Sequence, residues 1–329
     1  LDVLCTHPYP IFTPHCDTDP LNQMKSALHA AAQSLYYADL GGKPCFAEEM
    51  GVLGPMVVSD AYAADYIRAS LLTLLAHDCR GMLWWCGFEQ SELSRTPYDW
   101  NGVERELGLF YLDRTEKPVL KAMTAFSEFV EALPFRRMPK RMTDAVCVLT
   151  RGQDAWAAAY GAFILARQAH VDLTFAWADG PIPEAPAYLL PSVIGDTPMN
   201  RSVYLKLIDR VKQGAKLYLS LDGALLSPFS AFSGLRVLTR AHAPQTAEVS
   251  FQGETIRMQR DYRLRCESIG AEVLASAFNG DVAFARNRCG EGEVYTLLFP
   301  LEHQMACQPG MTDSEDAQPG FLFYEAMNL

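Results

Sequence analysis

Three short stretches near the N-terminus carry the residue types that could do chemistry. His7 and Tyr9 are two positions apart, so on a strand they share one face. Glu48 and Glu49 follow the apolar residues Cys45, Phe46 and Ala47 and precede Met50 and Gly51. Trp84 and Trp85 follow Met82 and Leu83, with Phe88 close behind. Charge at the end of a buried strand is costly unless it faces a polar mouth. Strand alternation predicts that only one of Glu48 and Glu49 faces inward; the plain alternative is that both begin a solvated loop. The paired tryptophans are either a core plug or a platform for an apolar sugar face. His7 is either functional or a structural loop histidine, and a Tyr9 hydroxyl beside a carboxylate could orient it.

These stretches must be positioned by the elements around them. Residues 1–134 repeat a short apolar strand, a polar or aromatic loop and a long helix, which implies parallel strands with crossovers. Strands are expected at 1–6, 44–48 and 81–86. Helices are expected at 21–40, opened by Asp19 and Pro20 and stopped by Gly41 and Gly42, at 60–77, capped by Ser59, and at 117–132. This grammar fits an open doubly wound sheet or part of a (β/α)8 barrel. The basic stretch 135–141 reads as a solvated linker.

Residues 142–329 restart an α/β pattern, with strands expected at 145–149, 171–176, 187–190 and 216–220 and helices at 155–168 and 201–213. From 236 to 299 the period changes to that of strands. One hairpin is expected around Gln252 and Gly253 and another around Gly290. The arginines of 257–265 alternate and read as a solvated face. The chain's last residues read as a helix broken off in mid-run, and the whole as a piece of a longer protein.

Composition narrows the function classes. Hydrophobic residues at 49% and charged residues at 20% exclude wholesale disorder. A net charge of −11 argues against nucleic acid or an anionic membrane as partner. The nine cysteines are odd in number and never spaced CxxC, which argues against a disulfide scaffold and favours a cytoplasmic setting. No apolar run is long enough for a transmembrane helix. Neither GxGxxG nor a P-loop occurs, so no cofactor is expected. Cys5, His7 and Cys45 lack the close-spaced pair of a zinc site, so no metal is expected either.

Taken together, the strings THPYP, KPCFAEEMG and GMLWWCGF, followed by ERELGLFYLDRTEKPV, resemble the sixth, seventh and eighth strands of the retaining (β/α)8-barrel glycosidases of clan A, families 5 and 42 above all. The resemblance covers residues 1–134. It implies that Glu49 is the catalytic nucleophile, with Met50 where that family usually has an aromatic residue. It implies substrate-binding roles for His7, Tyr9 and Trp85, and places the tyrosine against the nucleophile. Tyr98, Asp99 and Trp100, in the following loop, could line a subsite for the leaving-group side. The clan's acid/base belongs to an Asn-Glu pair ending the fourth strand, and no such pair occurs in this sequence. The chain is therefore expected to hold the nucleophile without the acid/base and to be inactive alone.

The second domain is similar in architecture to the flavodoxin-like, amidotransferase-like domain that follows the barrel in family 42. The likeness implies a role in homo-oligomer assembly. The turn Ser220-Leu221-Asp222-Gly223 lacks the amidotransferase cysteine, so that domain is expected to be non-catalytic. The fold expected is thus the C-terminal half of a TIM barrel followed by a flavodoxin-like α/β domain with an antiparallel extension. The substrate expected is a β-galactoside, β-mannoside or β-glucoside. The reading from a different class is a non-catalytic carbohydrate-binding or assembly protein on a degraded barrel.

Overall fold

A computed structural model describes residues 2–135, 137–313, 315 and 317–329. Leu1 and Arg136, which fall in the expected first strand and linker, lie outside the described residues. The chain divides into two compact units, Leu1–Arg141 and Met142–Leu329. Among the described residues, no helix is long and apolar enough to cross a membrane.

The first unit has three strands, β1 (Leu4–Thr6), β2 (Cys45–Met50) and β3 (Met82–Trp84), and three helices, α1 (Met24–Gly41), α2 (Asp60–Ala76) and α3 (Pro118–Glu131). The strands are parallel in the order β1-β2-β3. Their C-terminal ends therefore share one edge of the sheet. Ala30 of α1, Ala63, Ile67 and Leu71 of α2, and Val119 and Ala122 of α3 form one buried cluster with Ala47 and Met50. Met82 and Trp84 pack against that cluster, whereas Leu83 between them is 57% exposed. The helices thus cover one face of β3 and leave the other open.

Helix starts differ from the expected ones. Asp19 does not cap α1, which begins five residues later. Its carboxylate instead sits 3.2 Å from Nζ of Lys25, and both side chains are buried. An enclosed ammonium holds a carboxylate more strongly than a helix end does, so the pair displaces the cap. Ser59 stands at the N-cap of α2 but makes no side-chain cap hydrogen bond. Gly42 ends α1 in the left-handed conformation, with φ at 63°. The stretch 135–141 is more than a solvated linker, because Arg141 donates to both carboxylate oxygens of Asp39 on α1, at 3.0 and 3.1 Å.

The second unit is built on a seven-stranded sheet. Its parallel part contains β4 (Ala145–Leu149), β5 (Leu173–Trp177), β6 (Ala187–Val193), β7 (Lys216–Leu221) and, late in the chain, β12 (Gly292–Leu297). β10 (Glu272–Ser276) and β11 (Val282–Cys289) extend it antiparallel, giving the order β10-β11-β12-β7-β6-β4-β5. Val146, Val148, Tyr188, Leu190, Leu217 and Leu219 join Tyr204, Leu207 and Val211 of α5 (Arg201–Lys212) in one core. Residues one step out of phase, such as Cys147 and Leu189, are equally buried and face the other side. There Glu302 of α7 (Leu301–Cys307) accepts hydrogen bonds from Ser192 at 2.8 Å, from Tyr324 at 3.1 Å and from Ser220.

β8 (Leu235–Phe251) and β9 (Glu254–Ser268) form a separate two-stranded ribbon. Gln252 and Gly253, at φ 50° and 87°, make its two-residue turn, the pattern that matches strand twist. The arginines of β9 are not all a solvated face. The Arg260 side chain is fully buried, and with Arg263 it binds the Asp281 carboxylate at 3.0 and 2.6 Å. Its guanidinium also lies 4.5 Å from the Phe299 ring. Pairing and stacking let a charge stay inside where alternation alone predicted an outward face. At the C-terminus the expected helix is short, spanning Leu322–Glu325.

Candidate active site

The three strand ends meet at Gly51. A Cβ built there would lie 2.9 Å from the Trp85 carbonyl oxygen, 3.4 Å from the Tyr9 ring and 3.8 Å from the Trp84 indole. Only glycine lets the chain leave β2 between those neighbours. The backbone N–H of Trp85 donates to the Met50 carbonyl at 2.9 Å, which ties β3 to the same point.

β2 is irregular where its carboxylates sit. Ala47 pairs with Met82 but Met50 pairs with Trp84, so three residues of β2 advance against two of β3. Such a bulge re-aims side chains, and bulges are over-represented next to active sites. It also explains why Ala47 and Met50, an odd number apart, share one buried cluster. Simple alternation, which allows one inward carboxylate, therefore fails here. The His7 imidazole lies within ion-pair range of both, with Nε2 3.5 Å from Glu48 and Nδ1 3.7 Å from Glu49.

The two carboxylates are nevertheless unequal. The Glu48 side chain is 50% exposed and Glu49 30%. Only Glu49 receives the Tyr9 hydroxyl, at 3.0 Å. Tyr9 is buried, and its backbone is set by a turn in which its N–H donates to the His7 carbonyl and the helical turn Pro10–Phe12 follows. Burial, then the Glu49 charge and its hydrogen bond, raise the Tyr9 phenol far above its ordinary pKa. Tyr9 is thus a permanent donor that orients one carboxylate oxygen. Glu104 also contributes to that rise. Glu104 lies in the loop after β3, and sequence reasoning did not single it out. It opens the string ERELGLFYLDRTEKPV, which carries the resemblance without marking this carboxylate.

The tryptophans separate. Trp84 packs against the core of the first unit and donates its indole N–H to the Leu107 carbonyl at 3.0 Å. Trp85 is 38% exposed. Phe88 stacks on Phe110, with ring centres 5.1 Å apart, and helps close the base of the loop. Cys45 is buried in β2, and among the described residues no three His, Cys, Asp or Glu side chains cluster as metal ligands would. Tyr98, Asp99 and Trp100 line a cavity within their own loop. The arrangement offers an oriented carboxylate, an imidazole bridging two carboxylates and an exposed indole at one sheet edge.

No family model and no curated protein sequence matches the chain. Solved structures do. An exo-beta-1,4-mannosidase, Op5Man5 from Opitutaceae bacterium strain TAV5, superposes with a TM-score of 0.75 at 20% identity, over 93% of this chain and 56% of its own. Gan42B, a GH42 beta-galactosidase from G. stearothermophilus, gives 0.64 at 12% identity, over 93% and 48%. The beta-galactosidase of the Antarctic haloarchaeon Halorubrum lacusprofundi gives 0.64 at 13%, over 93% and 49%. The chain spans about half the length of these proteins. Across 93% of its residues the chain shares the fold of these glycosidase structures.

Proposed function

We propose that this chain is the nucleophile-bearing part of a retaining β-glycosidase that acts by double displacement. The observation that carries the proposal is the Tyr9 hydroxyl on Glu49 at 3.0 Å, at the C-terminal edge of three parallel strands. Mouths of this kind are where (β/α)8 enzymes place their chemistry.

In the proposed reaction a Glu49 carboxylate oxygen attacks the anomeric carbon and the glycosidic C–O bond breaks. A protonated carboxyl partner gives its proton to the leaving oxygen. The same partner then takes a proton from water, which attacks the anomeric carbon and releases Glu49. Tyr9 holds the nucleophile's second lone-pair direction fixed, and Trp85 offers an apolar face to the sugar ring. His7 lies where it can hydrogen-bond a substrate hydroxyl beside Glu49. The partner carboxyl must stand about 5–5.5 Å from the nucleophile. We assign it to a barrel strand outside these 329 residues, and the exposed Leu83 face fits strands that further barrel elements would cover.

The sugar is proposed as a β-mannoside, β-galactoside or β-glucoside, in keeping with the mannosidase and galactosidases the fold matches. The second unit is proposed as a non-catalytic, flavodoxin-like domain with a part in homo-oligomer assembly. Its parallel strands taken in chain order lie 2-1-3-4-5, the flavodoxin order.

Tyr9→Phe tests the orienting role. A hydrogen bond to a charged group contributes about 1.5–3 kcal/mol, so kcat/KM in the complete enzyme should fall by roughly 10- to 150-fold. The fall should sit in kcat, because the bond steers the reacting carboxylate. A Tyr9→Phe enzyme with unchanged kcat would remove the orienting role from the account.

A further inference from the structure

Beyond the carboxyl ends of β6 and β7 the second unit holds a cavity of 500 Å³ that has no part in the chemistry assigned to Glu49. Open α/β sheets bind ligands beyond their strand ends, and the volume is that of a small-molecule site. The wall comes from three segments. They are Asp196 after β6, the stretch from Leu221 to Phe229 at the end of β7, and Val237, Arg240 and Leu264 of the β8/β9 ribbon.

The three segments are tied to one another. Leu225 N–H donates to the Gly195 carbonyl at 2.9 Å, which joins the loops after β6 and β7. The Asp222 carboxylate accepts from the backbone N–H groups of Asp261 and Tyr262 at 2.9 and 2.7 Å, which fastens the ribbon on. Gly223, at φ 66°, lies so close to the ribbon that a Cβ there would stand 2.5 Å from the Tyr262 side chain. A cavity framed in this way is formed before a ligand arrives, so binding costs little ordering.

Most of the wall is apolar, with Leu221, Leu226, Phe229 and Leu264 among its residues; the polar side chains are Asp196, Ser227 and Arg240. Arg240 is held on two sides. Its Nε donates to the Gly223 carbonyl at 2.8 Å, and its guanidinium lies 3.8 Å from the centre of the Tyr262 ring. Its two terminal nitrogens make no hydrogen bond among the described residues. A guanidinium fixed by Nε and by one face presents the edge that takes a carboxylate through two parallel bonds. The Asp196 carboxylate receives the hydroxyl of its neighbour Thr197 at 3.4 Å and, among the described residues, no cation. The Ser227 hydroxyl can donate or accept. One unpaired cation and one unpaired anion on an apolar wall complement a zwitterion with an apolar side chain. An apolar anion would meet Asp196, an apolar cation would meet Arg240, and a neutral sugar would leave both charges unused.

We infer that this cavity binds a free apolar α-amino acid. Its carboxylate lies on Arg240, its ammonium on Asp196 and its side chain against the apolar wall. Leu225, 53% exposed beside the cavity, makes a second copy of the chain the competing occupant.

The test is a calorimetric titration of the 329-residue chain with L-phenylalanine, 3-phenylpropionate and phenethylamine, which share an apolar body and differ in charge. L-Phenylalanine should bind saturably, and each singly charged analogue about tenfold more weakly. Asp196→Asn should weaken L-phenylalanine about tenfold and leave 3-phenylpropionate no weaker. Arg240→Gln should weaken both and leave phenethylamine unchanged. Asp196 is exposed, so Asp196→Asn should melt with the wild type and carries the test even where Arg240→Gln loses stability. Three outcomes would overturn the inference: no saturable binding of L-phenylalanine, equal affinity for 3-phenylpropionate, or L-phenylalanine binding unchanged by Asp196→Asn. An oligomer in sedimentation that Leu225→Asp dissociates would also overturn it and give the cavity to a second copy. None of these outcomes depends on glycoside turnover.

Discussion

In the complete enzyme, Glu49→Gln should lower turnover by at least about a thousandfold, whereas Glu48→Gln should cost about tenfold or less. The two residues are adjacent and both lie within 4.0 Å of His7, so charge alone does not separate them. The separation comes from the Tyr9 hydroxyl, which reaches Glu49 only, and from the greater enclosure of Glu49. Glutamine keeps an oxygen to accept from Tyr9, so the Glu49→Gln protein should melt near the wild-type temperature. Loss of activity would then report lost nucleophilicity and not lost structure. Steady-state kinetics with an aryl β-glycoside and circular dichroism on each variant check this. A dead Glu48→Gln enzyme beside an active Glu49→Gln enzyme would shift the site by one residue and contradict the role given to Tyr9.

Asp281→Ala should destabilise the second unit by about 3–5 kcal/mol. The Arg260 side chain is fully buried, and Asp281 is the carboxylate that Arg260 and Arg263 share. Removing the acid strands a guanidinium inside. The double variant Asp281→Leu with Arg260→Met, which removes both charges, should recover much of the loss. The pair also predicts a pH dependence. The hydrogen bond from Arg263, with Arg260 adding to it, holds the Asp281 carboxyl below its ordinary pKa. Its contribution is therefore fully present above the unfolded-state value of about 3.9 and fades as pH falls through the lower folded-state value. Acid denaturation curves should show wild type losing this increment below about pH 4, and Asp281→Ala lacking it throughout. Equal stability of the two proteins at pH 7 would refute the structural role.

Where the strands of the first unit end was largely legible in the sequence. A parallel strand stays apolar until it nears the mouth, so Cys45, Phe46 and Ala47 giving way to Glu48 and Glu49 lie close to that point, although β2 runs on to Met50. The bulge between Ala47 and Met50 was not legible. It arises from how β2 meets β3, and the alternation rule assumes no extra residue. Asp19 misled for a similar reason: an N-cap pattern is local, while the Lys25 that claims the carboxylate is brought to it by the folding of α1. Arg260 shows the same limit on a strand, since its partner Asp281 lies on the far side of two turns. In the loop after β3, Trp100 was visible as a residue type. The cavity it lines required the ties made by Arg105, which no spacing encodes.

The central claim is that Glu49 becomes bonded to the sugar. The most direct measurement is to inactivate the complete enzyme with a 2-deoxy-2-fluoro β-glycoside bearing a dinitrophenolate leaving group, then to map the adduct by peptide mass spectrometry. The activated leaving group departs without proton donation, so the label depends on the nucleophile and not on the acid/base. The account predicts one sugar per chain, attached to Glu49, and no label on the Glu49→Gln protein. A label on Glu48, or rapid turnover of natural β-glycosides with Glu49 left unmodified by the inactivator, would contradict it.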